Sequence, residues 1–358
     1  MICKKASYYD FRNIGTQTLE FDKGINFICG DNAQGKTSAL EGIYLLAQGR
    51  SHRTSREKDF IRFGRDFSEI AIEYSSKKRD DAKLSIRYFA GGRKYCRKNG
   101  VPVGRMSEFI GNFRAIIFTP EHLSIVKEGP ANRRFFLDSA LSQLYPEYLS
   151  DLQAYYKNLM QRNKLLQNAE EDSFAFSETI ALWSENLALL GERISGYRSR
   201  YIDTLSKVIA PVFNDMTGGK EAPELRYRDL RTADEYRKLF TENLDKEIRN
   251  RVTMYGIQKD DIDIEINGKS AREFGSQGQQ RSAALAMKLA EGEISNMISG
   301  EYPVFLFDDI LSELDRNRRD YIMNGISGKQ VIITACEGES TAKRYGARLI
   351  RCKDGEFC

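Results

Sequence analysis

The sequence predicts an α/β fold: a parallel core sheet and an antiparallel β subdomain, interrupted by an α-helical arm. Three observations predict it. Short apolar runs without polar alternation, "INFIC" near one end and "PVFLFDD" and "QVIITA" near the other, suit strands buried on both faces. "FSEIAIEYS", "KLSIRYF" and "KYCRKNGVPV" read as antiparallel strands. From about Ala131 to Asn250 apolar residues recur at threes and fours, the period of a helix.

In chain order, "GINFICG" is the first buried strand. The run "KYCRKNGVPV" turns back at Asn99–Gly100, a pair suited to the positive φ angles of a tight hairpin. "FRAIIFTP" is a strand that Pro120 ends. Leu152, Tyr155, Leu159 and Leu166 then mark one helix stripe. Ile180, Trp183, Leu187, Leu190, Ile194, Tyr197, Tyr201, Leu205 and Val208 mark a second. The polar segment "NAEEDSFAFS" separates them, which predicts an antiparallel helical hairpin. Pro211 and "TGGK" are expected to break the second helix. A shorter helix is expected from Ala233 to Met254, and α/β texture returns after "DDIDIEINGKS". The expected division is a head from 1 to 130, an arm from 131 to 250 and the rest of the head from 251 to 358.

The chain has 358 residues, 41% hydrophobic and 30% charged, with net charge +4. That balance suits a soluble globular protein and permits a polyanionic partner without requiring one. No apolar run approaches the roughly 20 residues of a membrane span, and the N-terminus lacks a signal-peptide pattern, so a cytoplasmic protein is expected. Six scattered cysteines and two histidines, His52 and His122, give little support to a zinc site or a histidine-dependent hydrolase.

Gly30-Asp31-Asn32-Ala33-Gln34-Gly35-Lys36-Thr37 fits G-x-x-x-x-G-K-[ST] in full, between a strand and a helix that runs on through Ser38. Glycines let backbone N–H groups close around phosphates, and the helix N-terminus adds positive partial charge. In this ATP-binding reading Lys36 reaches the β- and γ-phosphates and Thr37 is a Mg²⁺ ligand. Such a loop requires an apolar strand ending in aspartate. "PVFLFDD" supplies Asp308 for Mg²⁺, and Asp309 is the candidate to orient or deprotonate the attacking water.

A second motif opens a strong helix former: Ser276-Gln277-Gly278-Gln279-Gln280, with Ser276 as N-cap and Gly278 small enough for close phosphate approach. This motif and "VFLFDDILSELD" together resemble the signature, Walker B strand and D-loop of ABC-type ATPases. The layout is similar to the branch that includes Rad50 and the chromosome-maintenance ATPases, and the finer resemblance is to the RecF family. It is carried by "FRNIGTQTLEF", "GDNAQGKTSALEGIYLLAQGRSHRT", "FTPEHLSIVKEGPANRRFFLD", "LWSENLALLGERI", "FGSQGQQRSAALAMKLAE" and "FLFDDILSELDRNRR".

The resemblance implies an ABC-type head whose signature, Ser276 to Gln280, caps the nucleotide of a second copy in an ATP-dependent homodimer. It implies D-loop roles for Ser312 and Asp315 and a phosphate contact for Arg12. It also implies DNA repair together with RecO and RecR at junctions of single- and double-stranded DNA. There are departures. Gly256-Ile257-Gln258-Lys259-Asp260-Asp261 stands where the family tends to read G-P-H-R-D-D. Thr334 stands near the usual sensing histidine, Asp309 replaces a glutamate, and Glu121 stands where a Q-loop glutamine is usual. Against the resemblance they imply slow, switch-like hydrolysis.

For DNA the candidates are Arg50, Arg53, Arg56, Lys77, Lys78, Arg93 and Lys94, in basic groups that also hold Lys58, Arg62, Arg65, Arg79, Arg97 and Lys98. Arg133 and Arg134 are read either as DNA contacts or as braces at the hinge of the arm. A transporter ATPase would need a membrane partner, and a chromosome-organising ATPase a far longer coiled coil.

Overall fold

The computed structural model describes residues 1–168, 174–219, 221–326, 328–336 and 338–358. Strands and helices are numbered along the chain. An antiparallel sheet runs in the order β2-β1-β4-β5-β6-β7. Its strands are β1 (Ile2–Tyr9), β2 (Gln17–Glu20), β4 (Phe67–Ser76), β5 (Arg79–Phe89), β6 (Lys94–Lys98) and β7 (Val101–Val103). Alternation decides its faces: Ala6, Tyr8, Ile70, Ile72, Leu84, Ile86 and Cys96 are buried on one side. Asn99 and Gly100 adopt φ 51° and 81° at the tip of the β6–β7 hairpin, as the Asn-Gly pair predicts.

The core sheet runs β15-β14-β3-β13-β12-β8. β3 (Ile25–Cys29), β8 (Ala115–Phe118), β12 (Val304–Asp308), β13 (Val331–Ala335) and β14 (Arg348–Lys353) are parallel, and β15 (Glu356–Phe357) pairs antiparallel at the edge. Helix α1 (Lys36–Gln48) lies in one apolar cluster with both sheets and is buried from Ser38 to Gln48, as a helix covered on every side must be. The opposite face of the core sheet, including Phe27, Phe118, Phe305 and Phe307, packs with Ile322 and Met323 of α10 (Arg316–Gly325) and Ala342 of α11 (Glu339–Arg344).

After the short α2 (Met106–Phe109), the arm is built from α3 (Pro130–Leu144), α4 (Pro146–Gln167) and α5 (Phe174–Thr217). The two predicted stripes meet: Leu152, Tyr155 and Leu159 share a core with Leu187, Leu190 and Ile194. Of the connector "NAEEDSFAFS", residues 169–173 lie outside the described residues, as does Lys220 of "TGGK". Pro211 does not break α5, contrary to expectation. It sits on the exposed face, as does Lys207, whose carbonyl lacks a proline N–H partner on the water side. The helix stops six residues later at Gly218 and Gly219, both with positive φ.

The helix expected from Ala233 to Met254 is two: α6 (Ala233–Glu242) and α7 (Leu244–Asn250). A three-stranded sheet joins β9 (Pro223–Tyr227), β10 (Ile262–Ile266) and β11 (Lys269–Ser270) across the expected boundary at residue 250. It leads through α8 (Ala271–Phe274) to α9 (Gln277–Ser299), whose apolar face shares the arm's core.

Buried ion pairs tie the base of the arm. Arg198 donates to Asp138 and Asp260, each at 2.8 Å. Arg133 forks onto Asp261 at 2.6 and 3.0 Å, and Arg134 donates to the Asp260 carbonyl at 2.9 Å. Arg133 and Arg134 are therefore braces of the arm, and the Asp260-Asp261 pair is what they hold. Among the described residues no helix is long and apolar enough to cross a membrane.

Candidate phosphate-binding site

β3 delivers the chain to Gly30 beside β14. A Cβ there would stand 2.0 Å from the Cys352 carbonyl oxygen, so the loop can pass only as glycine. Gly35 adopts φ 116° immediately before α1. Between them the loop closes around Lys36, whose Nζ donates to the Gly30 and Asp31 carbonyls at 2.6 and 2.8 Å. The ammonium is thus held at the centre of the cradle.

Thr37 Oγ1 donates to Asp308 Oδ1 at 2.8 Å, which joins the two motifs the sequence placed far apart. Parallel pairing sets Thr334 opposite Asp308, and its hydroxyl donates to the same oxygen at 2.8 Å. Thr334 Oγ1 also accepts from the Asp309 N–H at 3.0 Å. Burial raises the Asp308 pKa, and the Thr334 and Thr37 hydroxyls pull it back. Asp309 turns in the left-handed region, φ 52°, directly after the strand. A cleft of about 530 Å³ opens over Gly35 to Ser38 and is also lined by Asn32, Asp309 and Thr334.

The same cleft is lined by Arg12, Arg53, Asn13, Asp59 and Ile61. Arg12 reaches it as expected, though not as a free cation: it forks onto Glu41 at 3.0 and 2.7 Å and lies over the Phe60 ring. Arg53, expected on DNA, also lines this cleft, where it donates to Glu41 at 3.1 Å. Burial pushes the fully enclosed Glu41 carboxyl up, but Arg12, Ser51 and Arg53 together hold it below the usual range. Sequence reasoning missed Glu41, Asn13, Asp59 and Ile61. Glu41 had a signal: it is the one charged residue in "SALEGIYLLAQ".

The donors fit Mg²⁺. A threonine hydroxyl and one carboxylate, with nucleotide oxygens to complete the shell, are an oxygen-only set of the sparse kind Mg²⁺ uses with phosphates. Among the described residues no group of three or more His, Cys, Asp or Glu could hold a metal, so nothing here forms an all-protein cage.

The second motif lies elsewhere. Ser276 caps α9 by accepting from Gln279 N–H at 3.2 Å, and the Gln279 side chain accepts from Ser276 N–H at 2.7 Å. Gln277 opens the helix, and Gln280 is buried against the Ala271 carbonyl at 3.0 Å. Arg318 of α10, which the sequence did not single out, donates to the Gly278 carbonyl at 3.2 Å and to Ser282 Oγ at 2.9 Å. It also pairs with Asp315, the N-cap of α10. Ser312 Oγ donates to the Asp309 carbonyl at 2.6 Å. Ser276, Gly278, Gln279 and Asp315 line a separate cleft of about 400 Å³ that shares no residue with the phosphate cleft.

Of the other basic candidates, Arg50 lies over Phe135 and donates to Ser139 Oγ at 3.1 Å, and Lys94 pairs with Glu57 at 2.5 Å. Lys77 and Lys78 are exposed at the β4–β5 turn, and Arg56 and Arg93 are exposed with no ion pair among the described residues.

Residues 2–354 match the model of the RecF/RecN/SMC N terminal domain. The chain is similar to the DNA replication and repair protein RecF of Acetivibrio thermocellus, 39% identical over 359 residues that cover 97% of this chain and 96% of that protein. It is 40% identical to that of Clostridium novyi, over 93% of this chain and 92% of that protein. The solved structure of the recombination mediator protein RecF-ATP in the RecFOR pathway matches with a TM-score of 0.91 and 32% identity, covering 99% of this chain and 96% of that one. The Smc head domain from Pyrococcus furiosus shares the fold, with a TM-score of 0.59 at 17% identity.

Proposed function

The chain belongs to the RecF/RecN/SMC N-terminal domain family, on its RecF branch, and from that premise we propose that it is an ATP-driven DNA clamp of recombinational repair and replication maintenance. ATP enters the cleft over Lys36, which exchanges the Gly30 and Asp31 carbonyls for phosphate oxygens. Thr37 and Asp308 would hold Mg²⁺, which would supply charge neutralisation at the phosphates. Asp309 orients the attacking water, and hydrolysis is slow and DNA-dependent. Arg12 lines the phosphate side from its anchor on Glu41.

The separation of the two clefts carries this reading. Ser276 and Gly278 do not share a cleft with Lys36 of their own chain, so the cap over the terminal phosphate comes from a second copy. ATP then favours the dimer by linkage, and its hydrolysis releases it. The clamp acts in the cytoplasm on the nucleoid, at single-strand gaps, with RecO and RecR as partners that help load recombinase. The division into head (1–130 and 251–358) and arm (131–250) is proposed with it.

Sedimentation of the full chain with ATP, ADP or neither, each with and without gapped DNA, tests the proposal. A dimer that forms with ATP and binds gapped DNA is expected. A sedimentation coefficient indifferent to nucleotide, or DNA binding indifferent to it, overturns the clamp.

A further inference from the structure

Strand alternation should leave polar side chains on the solvent face of the antiparallel sheet. At one end of that face there is instead a row of aromatic rings, one from each of four adjacent strands. Tyr9 stacks on Phe67 with centroids 5.0 Å apart, Phe67 neighbours Phe89 at 5.9 Å, and Phe89 meets Tyr95 edge-on at 5.5 Å. The outer rings, Tyr9 and Tyr95, are 42% and 53% exposed.

A fifth ring is carried by a turn tied to the start of the row. Arg62 to Arg65 form a turn closed by Arg65 N–H donating to the Arg62 carbonyl at 3.0 Å, with Gly64 at φ 78° as a type II turn requires. The Arg62 N–H is tied to the carbonyl of Asp10, the neighbour of Tyr9, at 2.8 Å. This holds Phe63 fully in solvent, at 103% exposure. Three exposed rings, Tyr9, Phe63 and Tyr95, with the half-buried Phe67 and Phe89 linking the first to the last, mark a contact surface rather than scattered exposure.

Arginines flank the row. Arg93, Tyr95 and Arg97 alternate on the outer side of β6 while Cys96 points inward, and neither arginine makes an ion pair among the described residues. Glu69 on this face is matched by Arg87, whose guanidinium lies over the Phe67 ring at 5.0 Å, and Asp66, exposed beside Phe67, is a carboxylate with no ion pair among the described residues.

Resting on the DNA reading above, we propose that this face is a stacking platform for unpaired DNA bases, with Arg93 and Arg97 on the adjoining phosphates. Bases within a duplex have their π faces covered by neighbours, so rings presented by a sheet can be met only by splayed, single-stranded bases. Guanidinium groups beside the rings supply the charge-assisted contacts that a phosphate backbone takes.

The test uses the full chain with ATP at fixed salt, a labelled single-stranded oligo-dT and a duplex of equal length. Tyr95→Ala and Tyr9→Ala should each weaken single-strand binding about 5- to 100-fold and leave duplex binding unchanged. Tyr95→Phe should bind as the parent does. Replacing Arg93 and Arg97 by alanine should flatten the salt dependence. In Tyr95→Trp, oligo-dT should quench indole emission above the constant background of Trp183, the single native tryptophan, and duplex should not. Equal single-strand affinity in the alanine variants, or an equal loss on duplex, overturns the platform alone. A loss of ATP-dependent self-association with DNA binding intact assigns the face to a second copy and also overturns it. A parent protein that binds neither DNA takes the clamp reading down as well.

Discussion

Thr334, on the neighbouring strand, and Thr37, on the helix, donate to the same oxygen of Asp308, each at 2.8 Å. Thr334 also receives the Asp309 N–H, so one hydroxyl fixes both aspartates. Thr334→Val keeps the shape and removes both bonds. The Asp309 amide is left unpaired and the Asp308 carboxylate loses a donor, each a loss of about 1–3 kcal/mol. ATP hydrolysis should fall about 10-fold or more with ATP affinity little changed, and Thr334→Ser should retain activity. Loss of a donor to the charged form raises the Asp308 pKa further, so the acid limb of the pH–rate profile should move to higher pH. Hydrolysis by Thr334→Val at the parent rate would remove Thr334 from the mechanism.

Lys36 and Ser276 line different clefts, which permits a complementation experiment. Lys36→Ala should lose ATP binding. Ser276→Arg should still bind ATP, because its own cradle is intact, but should block the cap sterically and stay monomeric. Neither homodimer has a working site. In the mixed dimer one site pairs an intact cradle with an intact cap, so mixing two inactive proteins should restore measurable ATPase. Activity that stays absent in the mixture, with both variants folded, argues for a site complete within one chain.

The parts legible in the sequence are those encoded locally. The cradle from Gly30 to Thr37 is contiguous, and its glycines are demanded by backbone geometry, so reading it needs no tertiary information. Asp308 was legible because an apolar run ends on it. The Arg53 contact with Glu41 was not legible, because a linear list of arginines cannot show which ones meet a carboxylate buried in a helix twelve residues earlier. Arg318 was missed for a like reason: its partners Gly278 and Ser282 are distant in the chain. Pro211 misled because on an exposed face the Lys207 carbonyl can turn to water instead of the missing N–H, and the exposure of that face was not visible in advance.

Arg198, fully buried, bridges Asp138 and Asp260, and it also bonds the Tyr148 hydroxyl and the Ile257 carbonyl. Burial raises the Asp260 pKa, and Arg198 is the first influence that lowers it. Arg198→Met should destabilise the arm by about 3–5 kcal/mol, because it leaves two carboxylates enclosed without a counter-charge. Arg198→Lys should rescue little, since one ammonium cannot reproduce a fork spanning two acids. A urea midpoint within error of the parent's would mean that the network contributes nothing to folding.

His52 should make the protein acid-sensitive. Both ring nitrogens are buried without a hydrogen-bond partner among the described residues, Tyr44 stands edge-on at 5.5 Å, and burial lowers the pKa to about 4. In the unfolded chain the imidazole titrates near 6.5. Between those values the unfolded state holds more protons than the folded one, so acid favours unfolding. The contribution of neutral His52 is complete above about pH 6.5 and is lost as pH falls towards 4, amounting to roughly 3 kcal/mol. His122, also buried with its pKa lowered, acts in the same direction. Urea midpoints measured from pH 7.5 to 4.5 should therefore decline, and His52→Gln, which cannot titrate, should flatten the decline. An unchanged slope in that variant would place the acid sensitivity on His122 or on the carboxylates of the arm instead.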